Sequence, residues 1–150
     1  MPEAEPSPLI LLSRDLRNEL VAHAVDAYPM ECFGAIVGEV VGEFRRVFEV
    51  RPLTNGATSA AISYEAIPDE IYHLLQAEQA GGHKLLGFYH SHPEVPAEPS
   101  SIDLAEAHPW YIYLICSVHK GSFDHLKGWV LDDNEIKFDE IRIALLADGG

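Results

Sequence analysis

The stretch that decides the fold is residues 84–93, which reads Lys-Leu-Leu-Gly-Phe-Tyr-His-Ser-His-Pro. Its first six residues are mostly apolar or aromatic, which is typical of a buried strand. Because side chains alternate between the two faces of a strand, His90 and His92 should project from one face and Ser91 from the other. Pro93 has no backbone N–H and cannot continue a central strand. The sequence therefore predicts a buried strand that ends in two imidazoles on the same face.

The residues that follow can complete a metal site. Residues 94–99 contain two more prolines and are predicted to form a loop, after which Ser100 or Ser101 is predicted to be the N-cap of a short helix over residues 102–107. Asp103 falls in the first turn of that helix and can direct its carboxylate back toward the two histidines. Two imidazoles and one carboxylate leave a tetrahedral zinc ion one open position, which is typical of catalytic rather than structural zinc.

Each of these residues also has an ordinary explanation. The pattern Ser-Ser-x-Asp before an apolar turn is a common helix cap, and a histidine beside a proline is a common loop residue. Their combination at this spacing is what favours the metal site.

The spacing resembles the signature of the JAMM (MPN-plus) metalloproteases, which is His-x-His-Pro, then a serine after seven intervening residues, then x-x-Asp. Residues 93–99 separate His92 from Ser100, so the spacing matches without adjustment. The family also has an upstream segment similar to Glu-x-x-Gly-x-x-x-Gly, which residues 31–38 match with Glu31 in first place. The resemblance extends from about residue 9 to about residue 143.

The resemblance implies a set of roles for the matching residues. One zinc ion per chain would be held by His90, His92 and Asp103. Glu31 would be the catalytic base that takes a proton from water and passes it to the departing amine, and the Ser100 hydroxyl would stabilise the oxyanion. Spacing alone does not distinguish Glu31 from the other acidic residues of the chain.

The resemblance also implies a substrate. Compact prokaryotic members of the family act after the C-terminal Gly-Gly of a ubiquitin-like or sulfur-carrier protein, where they cleave a peptide or isopeptide bond. Only residues 104–109 separate Asp103 from the next predicted strand, which leaves little room for the insertion used by ubiquitin-chain-cleaving relatives. A Gly-Gly tail can enter a narrow cleft or add a strand at a sheet edge beside the zinc.

Two alternatives stay open. The chain can be a zinc peptidase that acts on other peptides or cell-wall crosslinks. It can also be a non-catalytic MPN scaffold, although such relatives usually lack one of the five motif residues that are all present here.

Composition limits the remaining possibilities. The 150 residues suit one domain, predicted over residues 9–150 after a disordered, proline-rich tail at residues 1–8. Ten Lys and Arg against 24 Asp and Glu give a net charge of -14, which disfavours nucleic-acid and anionic-membrane partners. Neither a secretory signal nor an apolar run of transmembrane length is visible, so a cytoplasmic location is predicted. The terminal Gly149-Gly150 is predicted to be a frayed tail.

Two cysteines, Cys32 and Cys116, occur in apolar runs and are predicted to be buried free thiols, with their pairing left open. Tyr89, Trp110 and Trp129 are predicted to lie in the core. The histidines outside the motif, at positions 23, 73, 83, 108, 119 and 125, are predicted to lie on the surface or at helix caps.

The order of elements predicts an α+β fold, and the resemblance implies the MPN version of it, a curved, partly barrel-like mixed sheet with two main helices and one short one. The main helices are predicted over residues 14–28 and 68–80. Besides residues 84–92, strands are predicted over residues 32–41, 43–53, 60–64, 110–118, 123–131 and 135–143.

Overall fold

The structure of the protein is a computed structural model that describes residues 9–53, 69–101, 103, 107, 110–132 and 137–147. The described residues form seven strands and two α-helices. The strands are β1 (Leu9–Ser13), β2 (Phe33–Val41), β3 (Phe44–Pro52), β4 (Lys84–Pro93), β5 (Ile112–His119), β6 (Ser122–Leu131) and β7 (Phe138–Leu146). The helices are α1 (Arg14–Ala27) and α2 (Asp69–Gln79).

The seven strands close into a barrel in the order β1-β3-β2-β4-β5-β6-β7. The pairs β1–β3, β1–β7 and β4–β5 are parallel, and the other four pairs are antiparallel. The predicted α+β fold with a mixed, barrel-like sheet is therefore confirmed.

Strand β4 lies in the middle of this order, between β2 and β5. Its residues are buried from Leu85 to His92, as the apolar run predicts. The prediction that the chain leaves the sheet at Pro93 is wrong by one residue, because Pro93 still pairs with Val118 of β5. Gly87 permits the close contact with β5, since a Cβ atom at this position would lie 1.8 Å from the carbonyl oxygen of Ile112. In the register with β2, His90 lies opposite Phe33, which brings the segment just before β2 to the end of β4 that carries the histidines.

Helix α1 packs against the barrel through its apolar face. Ser13 is the N-cap, and its side chain accepts a hydrogen bond from the backbone N–H of Leu16. Leu20 and Ala24 are buried in the same core cluster as Tyr89 of β4, which is completely buried as predicted. His23 lies 2.7 Å from the Tyr89 hydroxyl through Nδ1, so the prediction that His23 is a surface or cap residue is wrong.

Three further predictions differ from the structure. β1 was not predicted, because five residues carry little pattern and the strand is defined by its parallel pairing with β3 and β7. The last strand begins about three residues later than predicted. Trp110 is 43% exposed rather than in the core, with the guanidinium of Arg45 5.3 Å from its ring centroid.

Some predictions fall on other parts of the chain. The tail at residues 1–8, the strand at residues 60–64, His108 and the Gly149-Gly150 terminus lie outside the described residues, as does most of the short helix at residues 102–107. Within the described ranges, the helices are too short or too polar to cross a membrane.

The two cysteines are buried and free. On one side of β4, Cys116 of β5 lies opposite Ser91 in the strand register. On the other side, the carbonyl of Cys32 accepts a hydrogen bond from the Ser91 N–H. Two strand spacings, about 10 Å, therefore separate their backbones, and a disulfide requires Cα atoms within about 7 Å. Their separation by β4 excludes pairing in this fold.

The contact between His23 and Tyr89 generates a prediction about pH. Burial lowers the pKa of His23, and Asp26 offsets part of that effect. The His23 imidazole therefore binds a proton more readily in the unfolded chain than in the folded one. For this reason the free energy of unfolding should decrease as pH falls through about 6.5. Urea denaturation between pH 5 and 8 should show that the free energy of unfolding decreases less toward low pH in His23→Asn than in wild type. The asparagine retains a polar group near the position of Nδ1 but does not titrate. Identical pH slopes for the two proteins would contradict this account.

Candidate metal centre

His90 and His92 project from the same face at the end of β4, as the strand alternation predicts. Each is only 8% exposed, and their Nε2 atoms lie 3.1 Å apart. The side chain of Ser91 lies on the opposite face of β4, where its Oγ accepts a hydrogen bond of 2.8 Å from the backbone N–H of Cys32. This bond connects the histidine strand to the residue next to Glu31.

The carboxylate of Asp103 lies against both imidazoles. Its Oδ2 atom is 3.4 Å from Nε2 of His90 and 3.5 Å from Nε2 of His92. With the 3.1 Å between the two nitrogens, the three atoms form a nearly equilateral triangle. Tetrahedral zinc with bonds of about 2.0–2.1 Å separates its ligand atoms by about 3.3 Å, so the triangle has the size and the donor atoms that zinc requires.

Helix capping holds the Asp103 carboxylate in this place. Ser100 N donates to Oδ2 of Asp103 at 2.8 Å, and Asp103 N donates to Oγ of Ser100 at 3.1 Å. This reciprocal pair is a capping box with aspartate at the third position, and it identifies Ser100 rather than Ser101 as the cap. Since the capping oxygen also faces the histidines, the capping role and a metal-ligand role are compatible.

Glu31 lies beside the histidine pair but on the exposed side. One carboxylate oxygen of Glu31 and one ring nitrogen of each of His90 and His92 all lie within 4.8 Å of one another, so these three residues could also hold a metal ion. Asp103 forms the tighter triangle with the same histidines. The structure therefore brings together Glu31, His90, His92, Ser100 and Asp103, which are the five residues selected from the sequence.

The electrostatics of the site suit a cation. Burial raises the pKa of Asp103, but the close contacts with the imidazoles of His90 and His92 have the larger combined effect and hold its pKa well below the ordinary range. Burial lowers the pKa of His92, yet contacts with Asp103 and with the Pro96 carbonyl leave it raised overall. A carboxylate that stays ionised beside two imidazoles is a suitable partner for a divalent ion.

An apolar wall lies behind His90 and Asp103. A small pocket there is lined by Pro99, Ala107, Tyr113, Ile115 and Phe138 in addition to these two residues. Tyr113 and Ile115 come from β5 and Phe138 from β7, so parts of the chain far from the motif line one side of the site. Sequence reasoning did not select these residues, because no local pattern links them to the motif.

The contacts of the loop at residues 94–99 were also missed from the sequence. Ser117 of β5 and His125 and Trp129 of β6 hydrogen-bond to its backbone. The prediction that His125 is a surface or cap residue is wrong, and Trp129 is half-buried at this loop. The only available signal was the spacing of four between His125 and Trp129, which places both side chains on the same face of a strand.

The barrel affects how a substrate tail can bind. β4 is paired with β2 on one side and with β5 on the other, so the described strands leave no free edge at the histidines. The hypothesis that a tail adds a strand directly beside the metal site is therefore not supported by the described part of the sheet. The other mode expected from the sequence, entry of the tail into a narrow cleft, does not require a free edge.

Known proteins are similar to this chain. The family described as prokaryotic homologs of the JAB domain matches residues 13–131. A desampylase of Haloferax volcanii is 35% identical over 116 residues, which cover 74% of this chain and 82% of that protein. A probable TtuB-protein conjugate cleaving protease of Thermus thermophilus is 36% identical over 99 residues, which cover 66% of this chain and 64% of that protein.

Solved structures show the same fold. A protein from Desulfitobacterium hafniense, solved in solution, aligns with a TM-score of 0.71 and 28% identity over 93% of this chain and 94% of its own. A JAB1/MPN domain protein from Archaeoglobus fulgidus, solved by crystallography, aligns with a TM-score of 0.54 over 94% of this chain and all of its own. At 17% identity the second likeness shows the fold alone.

Ser91 provides a test of how the two sides of the site are connected. Ser91→Ala should leave the buried N–H of Cys32 without its partner and lower the free energy of unfolding by about 1–3 kcal/mol. Ser122→Ala, at an exposed strand position, should change it by less than about 0.5 kcal/mol. Chemical denaturation of the three proteins measures both values. Equal stability of Ser91→Ala and wild type would show that this bond is unimportant.

Proposed function

Because the chain belongs to the family of prokaryotic homologs of the JAB domain, we propose that it is a zinc metalloprotease of the JAMM type. Its proposed reaction is hydrolysis of the peptide or isopeptide bond after the C-terminal Gly-Gly of a ubiquitin-like or sulfur-carrier protein. The observation that carries the proposal is the triangle of His90, His92 and Asp103 with Glu31 beside it. A desampylase and a conjugate cleaving protease among the relatives support the substrate class.

One zinc ion per chain is proposed to be held by His90, His92 and Asp103. The set contains two neutral nitrogen donors and one carboxylate and no thiolate, which suits a hydrolytic zinc. When bound, zinc supplies Lewis acidity and lowers the pKa of water toward neutrality.

Glu31 is proposed to move the proton. Its carboxylate is exposed and lies within 4.8 Å of the imidazole nitrogens, so a water molecule between Glu31 and the histidine pair is within hydrogen-bond reach of it. Glu31 accepts the proton of that water as the oxygen attacks the carbonyl carbon of the second glycine. It then donates the proton to the departing amine, which is a poor leaving group until it is protonated.

Ser100 is proposed to stabilise the oxyanion. Its Oγ accepts the Asp103 N–H, and its own hydroxyl proton remains available as a donor toward the substrate carbonyl oxygen. The capping box therefore positions a metal ligand and an oxyanion donor with the same pair of bonds.

The two glycines of the tail are the reason to propose carrier proteins that end in Gly-Gly as the substrate class. A segment without side chains can approach the buried histidines closely. We also propose a cytoplasmic location, which rests on the two free thiols, since unpaired cysteines are typical of reducing compartments.

Glu31→Gln should retain about one zinc per chain and lose most turnover, by at least about 100-fold, because the proton transfer is lost while the ligands remain. Asp103→Asn should lose zinc affinity as well, because a charged ligand is removed. Glu140→Gln, an exposed glutamate on β7, is the matched control and should behave as wild type. Elemental analysis measures the metal, and mass spectrometry measures cleavage of carrier fusions that end in Gly-Gly-X.

The outcomes separate the alternatives. Zinc with cleavage after Gly-Gly in wild type but not in Glu31→Gln supports the proposal. Zinc with cleavage of unrelated or cell-wall peptides alone would replace the substrate class. Failure to bind zinc after reconstitution would leave the non-catalytic scaffold as the better explanation.

Ser100→Ala should bind zinc with nearly normal affinity and lower kcat by about 10²–10³, the effect of removing one oxyanion donor. Its loss as a helix cap should lower the free energy of unfolding by about 1 kcal/mol. Ser101→Ala, the exposed neighbouring serine, should change neither value appreciably. A Ser100→Ala enzyme with wild-type kcat would remove Ser100 from the mechanism.

A further inference from the structure

The loop at residues 94–99 is held in place mainly by side chains, apart from the backbone hydrogen bond from Glu94 N to Val118 O of β5. Ala97 at its centre is completely buried, and buried backbone groups require partners. Four bonds join side chains to its backbone: Ser117 Oγ to Val95 O at 2.6 Å, His92 Nδ1 to Pro96 O at 2.9 Å, Ala97 N to His125 Nε2 at 2.9 Å, and Trp129 Nε1 to Ala97 O at 2.9 Å. The Pro96 carbonyl also accepts the backbone N–H of Glu98 at 2.8 Å.

Donor and acceptor chemistry assigns the protons of two histidines in this set. A backbone N–H only donates, so Nε2 of His125 accepts from Ala97 and its Nδ1 carries the proton, 2.5 Å from Oδ2 of Asp124. A carbonyl only accepts, so Nδ1 of His92 carries the proton toward Pro96. In the neutral imidazole of His92, Nε2 is then unprotonated and faces His90 and Asp103.

These bonds join into one chain, because the Pro96 carbonyl and the Ala97 N–H belong to the same planar peptide group. The chain runs from the Asp124 carboxylate through His125 and this peptide group to His92. Hydrogen bonds that are linked in this way polarise one another. Partners behind a metal-binding histidine fix its tautomer and increase its basicity.

We propose that His125, supported by Asp124, is a positioning residue for the metal centre. It acts through the peptide group between Pro96 and Ala97 and holds His92 in the tautomer whose Nε2 is free for the metal. This inference rests on the proposed function, since it assigns a role toward the zinc proposed above. Trp129 binds the same residue of the loop but contacts the Ala97 carbonyl, which lies outside the chain of bonds.

The test compares zinc dissociation constants, measured by competition with a chromophoric chelator. His125→Leu should weaken zinc binding by about tenfold, the lower end of the effect of losing an outer partner of a metal ligand. His125→Gln should retain most of the affinity, because its amide oxygen can accept the Ala97 N–H. His73→Leu, the same change at an exposed histidine of α2, should have no effect.

Trp129→Phe distinguishes this role from simple anchoring of the loop. It removes the bond to the Ala97 carbonyl and leaves the bonds from Asp124 to His92 intact, so it should weaken zinc binding less than His125→Leu. If the two variants weaken it equally, or if His125→Gln fails to restore it, His125 is a loop anchor only and the inference is wrong.

A second measurement needs no zinc. Long-range nitrogen NMR of the imidazoles, recorded at a pH high enough to keep His92 neutral, should show His92 protonated at Nδ1 in the metal-free wild type and in His125→Gln, with a greater share of the other tautomer in His125→Leu. His92 protonated at Nε2 in wild type, or unchanged in His125→Leu, would overturn the inference. If the wild type binds zinc and cleaves Gly-Gly fusions, and His125→Leu changes neither the zinc affinity nor the His92 tautomer, only this inference is wrong. If the wild type binds no zinc, the proposed function is wrong, and the NMR measurement still decides whether His125 fixes the tautomer of His92.

Discussion

The pairing of β4 between β2 and β5 is the constraint on which the rest of the structure depends. Two neighbours bury the strand, and its alternation then points His90 and His92 to one face and Ser91 to the other. Because the end of β4 lies beside the start of β2, Glu31 reaches the histidines without belonging to the motif. The hydrogen bond from Cys32 to Ser91 joins these two segments.

The site is preorganised because almost every polar group near it has a specific partner. The Asp103 carboxylate is held by the capping box, and the loop before it is held by β5 and β6. The three proposed ligand atoms lie 3.1–3.5 Å apart and would need little rearrangement to accept a metal. The described fold therefore already holds these atoms in the arrangement that the proposed metal binding requires.

Asp124 and His125 contact the site only through other residues, and the sequence alone does not reveal them. The bonds that reach His92 from Asp124 and His125 pass through a peptide group and cross from β6 to the loop after β4. The spacing of His125 and Trp129 places both side chains on one face of a strand but does not show what they contact, since that depends on the order of strands in the barrel. For the same reason His125 and His23 were both assigned to the surface or to helix caps.

The sequence by itself determined the α+β class, the boundaries of most strands and both helices to within a few residues, and the motif from His90 to Asp103. Those features depend on local causes, which are side-chain alternation, capping and the lack of an N–H in proline. Glu31 required the family resemblance, because its spacing from the histidines carries no local signal. The tertiary structure alone decided that β1 closes the barrel, that β4 separates Cys32 from Cys116, and that His125 reaches Ala97. Each of these depends on pairing between distant segments, which only the folded chain brings together.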